Sequence, residues 1–174
     1  MFENFSLIRL TPDHIIKPFD CDDADLNEFL LLNAHNFSKE LFAVTYIIEN
    51  KEKTVAFFSV LNDKISSENF ESKRKYYHTI RDHFPENKRF RSYPAVKIGR
   101  LGVDREFQKI GLGTQILDYI KMLFVNNNRT GCRFITVDAY KQSLRFYEWN
   151  DFIYLDEKDK NEETRLMYFD LSVI

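Results

Sequence analysis

Glycine is scarce in this chain and confined to one region. All five glycines of the 174 residues fall between Gly99 and Gly131, and two stand in the hexapeptide Gln-Lys-Ile-Gly-Leu-Gly at 108–113. A strand-like run precedes the hexapeptide, and the apolar spacing of an amphipathic helix follows it. A strand, a glycine loop and a helix N-terminus in this order turn backbone N–H groups toward an anion, and the helix dipole adds positive charge there. The sequence therefore predicts a phosphate-binding loop at 108–113.

Composition bounds the class of protein. A length of 174 residues favours one domain. Hydrophobic residues make up 44% and charged residues 30%, which is ordinary for a globular protein and argues against disorder. The formal net charge of −2 gives no overall attraction to nucleic acid or to an anionic membrane. We therefore expect a single domain over 1–174, in which 62–93 is a variable, charged excursion.

The chain start and the cysteines favour a cytoplasmic protein. The N-terminus lacks the basic and apolar regions of a signal peptide. No apolar run approaches the ~20 residues that span a bilayer, so a membrane partner is not expected. Cys21 and Cys132 stand alone, without a CxxC motif or neighbouring histidines. A zinc site or a disulfide is therefore not predicted, and no metal is expected.

The periodicity along the chain predicts an α/β fold with a mixed sheet. Strand-like runs rich in β-branched and aromatic residues occupy 5–10, 42–49, 54–61, 95–103, 132–139, 152–155 and 164–171. Helical spacing occupies 26–34, 112–124 and 141–149, with Asp118 and Lys121 expected to point away from the core. The polar turn at 50–53 predicts a hairpin. The aspartates at 20–25 favour a helix N-cap over a calcium site, because an EF-hand glycine and glutamate are missing.

Two nucleotide-binding fingerprints fail at the glycine loop. A dinucleotide-binding GxGxxG would need a third glycine or alanine, where Gln115 and Ile116 stand. A Walker A loop would need Gly-Lys-Ser/Thr, but Gly113 is followed by Thr114. What remains is a short Gln-x-x-Gly-x-Gly loop suited to a pyrophosphate held by backbone amides. A tight strand–helix connection without a ligand is the alternative.

With these motifs in place, the sequence resembles the GNAT superfamily of N-acetyltransferases. In that family a fourth strand, a loop of pattern Q/R-x-x-G-x-G/A and the next helix hold acetyl-coenzyme A. Here 98–104, 108–113 and the later Phe146-Tyr147 segment match. Within the family, the chain looks most like the toxin-type acetyltransferases of toxin–antitoxin pairs, which carry a "GRLAVD" strand and a "QGxGLG" loop. Their N-terminal pattern is represented here by Phe19, Cys21, Leu26, Phe29 and Leu30.

The resemblance implies a fold and a set of site residues. The fold is a single-domain, mostly antiparallel sheet flanked by helices and splayed between the fourth and fifth strands. Tyr147 would protonate the departing coenzyme thiolate. Arg100, which belongs to the matching motif, would either fix the strand or face the acceptor. Tyr140, which departs from the family pattern, would affect either the coenzyme contact or the acceptor pocket. A phenol with a pKa near ~10 suits that donor role. The coenzyme would contact Leu101, Gly102, Val103, Gln108, Lys109, Ile110, Gly111, Leu112, Gly113 and Thr114.

The sequence departs from the family pattern at several positions. Asp151 replaces the glycine that usually follows the tyrosine helix, and Tyr140 and Ser143 replace an asparagine and an alanine. Aspartate tolerates a left-handed turn, so the fold need not suffer. Lys109 stands where the loop usually has glycine, and a cation beside a pyrophosphate is electrostatically favourable.

The predicted reaction is direct transfer of acetyl from acetyl-CoA to a primary amine. The cysteines lack a paired histidine in any motif, which agrees with a mechanism without an acyl-enzyme. The sequence names no general base, and His78 and His83 are expected at the surface. If the toxin-like resemblance holds, the acceptor is the α-amine of an aminoacyl-tRNA.

The partners and the competing functions stay open at this point. The toxin-like resemblance implies an antitoxin protein as a partner, and a homodimer is a further candidate assembly. The basic islands 73–75 and 88–91 are candidate contacts for an RNA backbone, with a solvated surface as the alternative. A small-molecule or protein amine could replace charged tRNA as acceptor. A silent coenzyme-binding sensor is the alternative of another class.

Overall fold

The computed structural model of the protein describes residues 4–126 and 130–174. Its strands are β1 Ser6–Arg9, β2 Val44–Glu49, β3 Thr54–Ser66, β4 Ser92–Val103, β5 Phe134–Tyr140, β6 Ile153–Tyr154 and β7 Thr164–Asp170. Its helices are α1 Ala24–Glu28, α2 Ala34–Lys39, α3 Lys73–Thr79, α4 Leu112–Val125 and α5 Leu144–Glu148. A π-helical stretch, Phe29–Asn33, joins α1 to α2. Short 3₁₀ turns complete the connections.

The strands form one seven-stranded sheet in the order β1-β2-β3-β4-β5-β7-β6. β1 with β2, β2 with β3, β5 with β7, and β6 with β7 pair antiparallel. β4 and β5 are parallel, with Ala95 opposite Phe134 and Lys97 opposite Thr136. The predicted α/β fold with a mixed, mostly antiparallel sheet is confirmed. The splay between the fourth and fifth strands stays a prediction.

The chain divides into two compact units. The first unit contains the residues up to Leu61 together with Ile98–Met122. The second contains Asn62–Lys97 together with Leu123–Ile174. The unit boundaries fall inside β3, β4 and α4.

The first unit is built around the β2–β3 hairpin and the α1–α2 segment. Antiparallel pairing runs from Val44 opposite Val60 toward the turn, which confirms the predicted hairpin. The Asp23 carboxylate accepts a hydrogen bond from the backbone N–H of Leu26 at 3.0 Å, so the predicted N-cap of the first helix is confirmed. One buried hydrophobic cluster of the unit contains Leu10, Phe19, Cys21, Phe29, Leu30, Ala34, Ile47 and Phe57.

The second unit shows that 62–93 is more ordered than its charge pattern indicated. β3 continues to Ser66, beyond the predicted end of that strand, and α3 and three 3₁₀ turns follow. Long-range partners explain the extension, because Asp63 accepts a hydrogen bond from the Thr136 hydroxyl. The segment supplies Ile65, Phe70, Tyr76, Ile80 and Tyr93 to a core that also contains Ala95, Phe134, Leu155 and Tyr168.

Helix α4 follows its predicted amphipathic pattern with one exception. Leu112, Ile116 and Ile120 are buried, and Asp118 is exposed. Lys121, which was expected to point away, is only 7% exposed. A lysine can bury its long aliphatic stem, so a charge pattern alone does not reveal such a position. In the part of the chain that the structure describes, no helix has both the length and the apolar character needed to cross a membrane.

Candidate active site

The corner between β4 and the glycine loop is built around a buried carboxylate. Asp104 is fully buried and accepts hydrogen bonds from the backbone N–H groups of Asp20 and Glu106, at 3.2 and 3.1 Å. The Lys53 ammonium lies 3.1 Å from the Asp104 carboxylate, and this hydrogen bond raises the pKa of Lys53. The backbone N–H of Asp104 donates to the Val55 carbonyl. These contacts hold the end of β4 to β3 and to the 17–21 segment. The sequence analysis did not predict a role for Asp104.

Gln108 fixes the start of the loop through its side chain. Its Nε2 donates to the carbonyl of Val103 at 3.0 Å and to the carbonyl of Cys21 at 3.2 Å. The prediction counted Gln108 among residues that contact the coenzyme. These hydrogen bonds hold the Gln108 side chain within the first unit. Any contact of Gln108 with the coenzyme would therefore be made by its backbone.

The loop itself carries two left-handed residues. Lys109 has a φ of 63° and Gly111 a φ of 85°, and both are exposed. The backbone N–H of Gln115 donates to the Gly111 carbonyl at 3.1 Å, which opens the hydrogen-bond pattern of α4. The N–H groups that precede it at the helix start have no acceptor one turn back. Leu112, Gly113 and Thr114 form that first turn, so this corner has the backbone donors that an anion needs.

The last residues of β4 lie directly before this corner. Leu101 and Val103 are half-buried, and Gly102 is buried. A Cβ built on Gly102 would stand 2.7 Å from the Phe57 ring and 3.2 Å from Phe19. Close packing against these aromatic rings therefore requires glycine here. The contact of the Leu101–Val103 backbone with the coenzyme stays a prediction.

Arg100 is held over the first helical segment. Its guanidinium lies 5.1 Å from the centre of the Phe29 ring, and its Nη1 donates to the Gly99 carbonyl at 2.9 Å. Its Nε lies 3.6 Å from the Asp25 carboxylate and, among the described residues, has no hydrogen-bond partner although it is buried. Its predicted acceptor role stays a prediction.

In the second unit, Tyr147 lies in α5 within an aromatic cluster. Its ring packs edge-to-face on Phe146 and Phe152, with centroid distances of 5.1 and 5.4 Å. The residue is 6% exposed, and burial raises the pKa of Tyr147 above its usual value. Within 4–126 and 130–174, the protein supplies no hydrogen-bond partner to its hydroxyl. The phenol therefore stays protonated at neutral pH and has its donor available to a ligand.

The turn after α5 keeps its shape without the usual glycine. Asp151 has a φ of 65°, which confirms that aspartate adopts the left-handed conformation here. The Asn150 side chain donates to the Phe146 carbonyl at 2.7 Å, and the Phe152 N–H donates to the Tyr147 carbonyl. Tyr140, the last residue of β5, is 43% exposed, and its acceptor role stays a prediction.

Among the described residues, the cysteines and histidines do not form another catalytic site. Cys21 is buried with Sγ 3.2 Å from the Asn27 side-chain oxygen, and burial raises the pKa of Cys132 to about 11. His78 and His83 are exposed, as predicted. Across the described residues, no three histidine, cysteine or acidic side chains are grouped so that they could hold a metal ion.

Residues 47–171 match the acetyltransferase (GNAT) domain. This match spans well over half of the sequence, so the chain belongs to the GNAT acetyltransferase family. The predicted family and the enzyme class, an acyl-CoA-dependent N-acetyltransferase, are confirmed.

Solved structures of toxin-type acetyltransferases have the same fold. The chain is similar to AtaT complexed with acetyl-methionyl-tRNAfMet, with 20% identity, 97% of this chain and 96% of that chain covered, and a TM-score of 0.77. It is similar to AtaTR bound with AcCoA, with 19% identity, 98% and 96% coverage, and a TM-score of 0.76. It is also similar to a tyrosine-to-phenylalanine mutant of KacT, with 16% identity, 98% and 96% coverage, and a TM-score of 0.78.

Proposed function

We propose that this chain is a single acetyltransferase domain that moves acetyl from acetyl-CoA to a primary amine. The observation that carries the proposal is the corner that leads into α4. There Lys109 and Gly111 both adopt left-handed conformations directly before a long helix, inside a matched GNAT domain. Backbone N–H groups, the helix dipole and the Lys109 ammonium all favour a pyrophosphate at this point. One structural neighbour, AtaTR, is bound with AcCoA.

The reaction needs no covalent intermediate on the protein. The neutral amine attacks the thioester carbonyl, a C–N bond forms, the C–S bond breaks, and the amine proton leaves to water. Tyr147, which its raised pKa keeps protonated across the neutral range, donates its phenolic proton to the departing thiolate. The phenolate then regains a proton from water. The protonated thiols of Cys21 and Cys132 take no part.

The acceptor we favour is the α-amine of an aminoacyl-tRNA. Support comes from the fold shared with AtaT, which is complexed with acetyl-methionyl-tRNAfMet. The same likeness makes an antitoxin the expected protein partner, because AtaT is bound to the C-terminus of the antitoxin AtaR. A homodimer is the further assembly to test. A small-molecule or protein amine is the alternative acceptor.

The test is release of free coenzyme thiol from acetyl-CoA, followed together with the acetylated product. The acceptors are charged tRNAs, the same tRNAs uncharged, and a panel of small primary amines and amine-bearing peptides. We expect release with charged tRNA and none with uncharged tRNA. Release only with small amines or peptides would replace the acceptor. Tight acetyl-CoA binding without release on any acceptor would show a coenzyme-binding sensor instead.

A further inference from the structure

Positive charge is concentrated in one segment of the second unit. Residues 73–91 contain seven lysines or arginines and two acidic residues, Asp82 and Glu86, a formal charge of +5. The whole chain has a formal charge of −2, so the rest carries −7. A chain that is acidic elsewhere therefore presents a strongly basic patch here. We call 73–91 the basic segment.

Buried tyrosines bring the two ends of the basic segment together. The Tyr76 hydroxyl in α3 donates to the Phe90 carbonyl at 3.0 Å. The Tyr93 hydroxyl donates to the Lys88 carbonyl at 3.1 Å and accepts from the Phe90 N–H at 3.2 Å. Tyr76 and Tyr93 are both buried. The lysines and arginines before Tyr76 and around Phe90 therefore belong to one ordered surface.

Some cations of the basic segment have structural partners and others do not. Lys75 pairs with Glu71 and lies 3.4 Å from the buried Asp156 carboxylate. Arg89 donates to the Phe84 carbonyl. Within 4–126 and 130–174, five cations of the segment form no ion pair. Arg81 is half-buried, and the other four are exposed: Lys73, Arg74, Lys88 and Arg91.

Aromatic faces accompany these cations. The Arg81 guanidinium lies 4.1 Å from the centre of the Tyr77 ring, and its Nε has no hydrogen-bond partner among the described residues. Phe90 is 56% exposed between Arg89 and Arg91. Among the described residues Arg91 forms no ion pair, while Arg89 pairs with Glu86 at 3.7 Å. An exposed ring beside an unpaired cation suits a strand of nucleotides, because phosphates neutralise such cations and a base stacks on the ring. An acidic peptide would use the cations but gains little from Phe90.

We propose that the basic segment is an RNA-binding surface that contacts the phosphates and stacks a base on Phe90. The inference rests on the proposed function in that it gives the tRNA acceptor a docking surface. RNA binding can nevertheless be measured without any acetyl transfer. The two proposals therefore fail separately.

The test is binding of uncharged tRNA, without acetyl-CoA, over a series of salt concentrations. The test variant is Lys73→Glu with Lys88→Glu, one exposed lysine from each end of the basic segment. The matched control is Lys51→Glu with Lys64→Glu, two exposed lysines elsewhere with the same change of charge. We expect the test variant to lower the slope of log K against log salt by about 2 and to weaken binding roughly tenfold or more at low salt. The control should stay within about twofold of wild type if phosphate contacts are local.

Further measurements test the stacking contact, the choice of ligand and the fold of the test variant. Phe90→Leu keeps apolar bulk and removes the aromatic face, and we expect it to weaken tRNA binding without changing the salt slope. Equal losses in the test and control variants would overturn the proposal, as would tighter binding of a polyglutamate peptide than of tRNA. A thermal unfolding midpoint and an acetyl-CoA Kd equal to those of wild type show that the fold of the test variant is intact. Normal tRNA binding without acetylation of charged tRNA would contradict the proposed acceptor and leave the surface standing.

Discussion

The two regions that carry the predicted site residues are built in opposite ways. In the first unit, the corner after β4 is polar, and side chains such as Asp104 and Gln108 brace backbone groups. In the second unit, α5 is fixed by aromatic packing that buries one phenol, Tyr147. A polar, exposed corner offers binding energy to an anion, while a buried phenol offers one proton donor. We therefore expect the corner to set coenzyme affinity and α5 to set the rate of the chemical step.

The largest effect should come from removing the Tyr147 hydroxyl. Tyr147→Phe keeps the aromatic packing and deletes the donor, so we expect kcat to fall roughly 10²–10³-fold with little change in coenzyme Kd. Tyr154→Phe is the matched control. It also deletes a tyrosine hydroxyl, which donates to Glu148 of α5, the helix that contains Tyr147. That control should keep nearly all activity. A normal kcat in Tyr147→Phe would contradict the role given to α5.

The pH dependence of kcat/KM is a second test of the role of Tyr147. The pKa of Tyr147 is raised above 10, so below pH 10 its ionisation removes no activity and no stability. An α-amine has a pKa of about 7.7–8.0, so kcat/KM should rise through that range and then level off to pH 10. A fall that begins well below pH 10 and disappears in Tyr147→Phe would contradict the assignment.

The next effect concerns the buried carboxylate of the corner. Asp104→Ala leaves two backbone N–H groups without their acceptor and leaves Lys53 with only the exposed Glu106 as a partner. We expect a loss of about 2 kcal/mol in the free energy of unfolding. The coenzyme Kd should rise because the loop loses its support. Glu106→Gln is the control, since Glu106 pairs with the same lysine at 3.2 Å but is 62% exposed. Exposed pairs contribute less than about 1 kcal/mol, so the control should change little. Chemical denaturation and calorimetric binding provide both readouts.

A side chain at the helix start should affect coenzyme binding alone. Gly113 lies in the first turn of α4, where Gly113→Ala gains up to about 1 kcal/mol of helix propensity. We expect weaker acetyl-CoA binding in a protein at least as stable as wild type. Gly111→Ala differs, because a φ of 85° adds about 1 kcal/mol of backbone strain although the space is open. Unchanged coenzyme affinity in both variants would reduce the loop to a turn.

The smallest effects separate the two left-handed residues that replace family glycines. Lys109→Gly and Asp151→Gly each relieve a left-handed residue, and each should stabilise the protein by roughly 0.5–1 kcal/mol. Only Lys109→Gly also removes a cation beside the predicted pyrophosphate, so only this variant should weaken acetyl-CoA binding. Equal coenzyme affinity in the two variants would assign Lys109 no role in binding. Thermal unfolding and titration with acetyl-CoA measure both effects.

Local patterns were sufficient for much of the fold. The β2–β3 hairpin, the cap at Asp23 and the amphipathic face of α4 depend on neighbours in sequence, and they were predicted. The glycine pattern predicted the loop, and the family resemblance selected Tyr147. Family membership is confirmed, while the roles of the loop and of Tyr147 stay predictions. That Asp151 would keep a left-handed turn followed from the chemistry of aspartate.

What escaped prediction depends on distant partners. Gln108 braces the loop through Cys21, 87 residues away, and Asp104 holds Lys53 from 51 residues away. β3 continues past its apolar run because Asp63 accepts a hydrogen bond from Thr136 on β5. The left-handed conformation of Lys109 was not predicted, because the residue is not a glycine. No window of sequence contains these contacts.

Amide hydrogen exchange with and without acetyl-CoA tests the glycine loop directly. We propose that backbone N–H groups at 109–114 bind the coenzyme pyrophosphate. We predict that saturating acetyl-CoA slows exchange at 109–114 and leaves the exposed β2–β3 turn at 50–53 unchanged. The Gly113→Ala variant should show this protection only at higher coenzyme concentration. Saturated binding with unchanged exchange at 109–114 would contradict the claim.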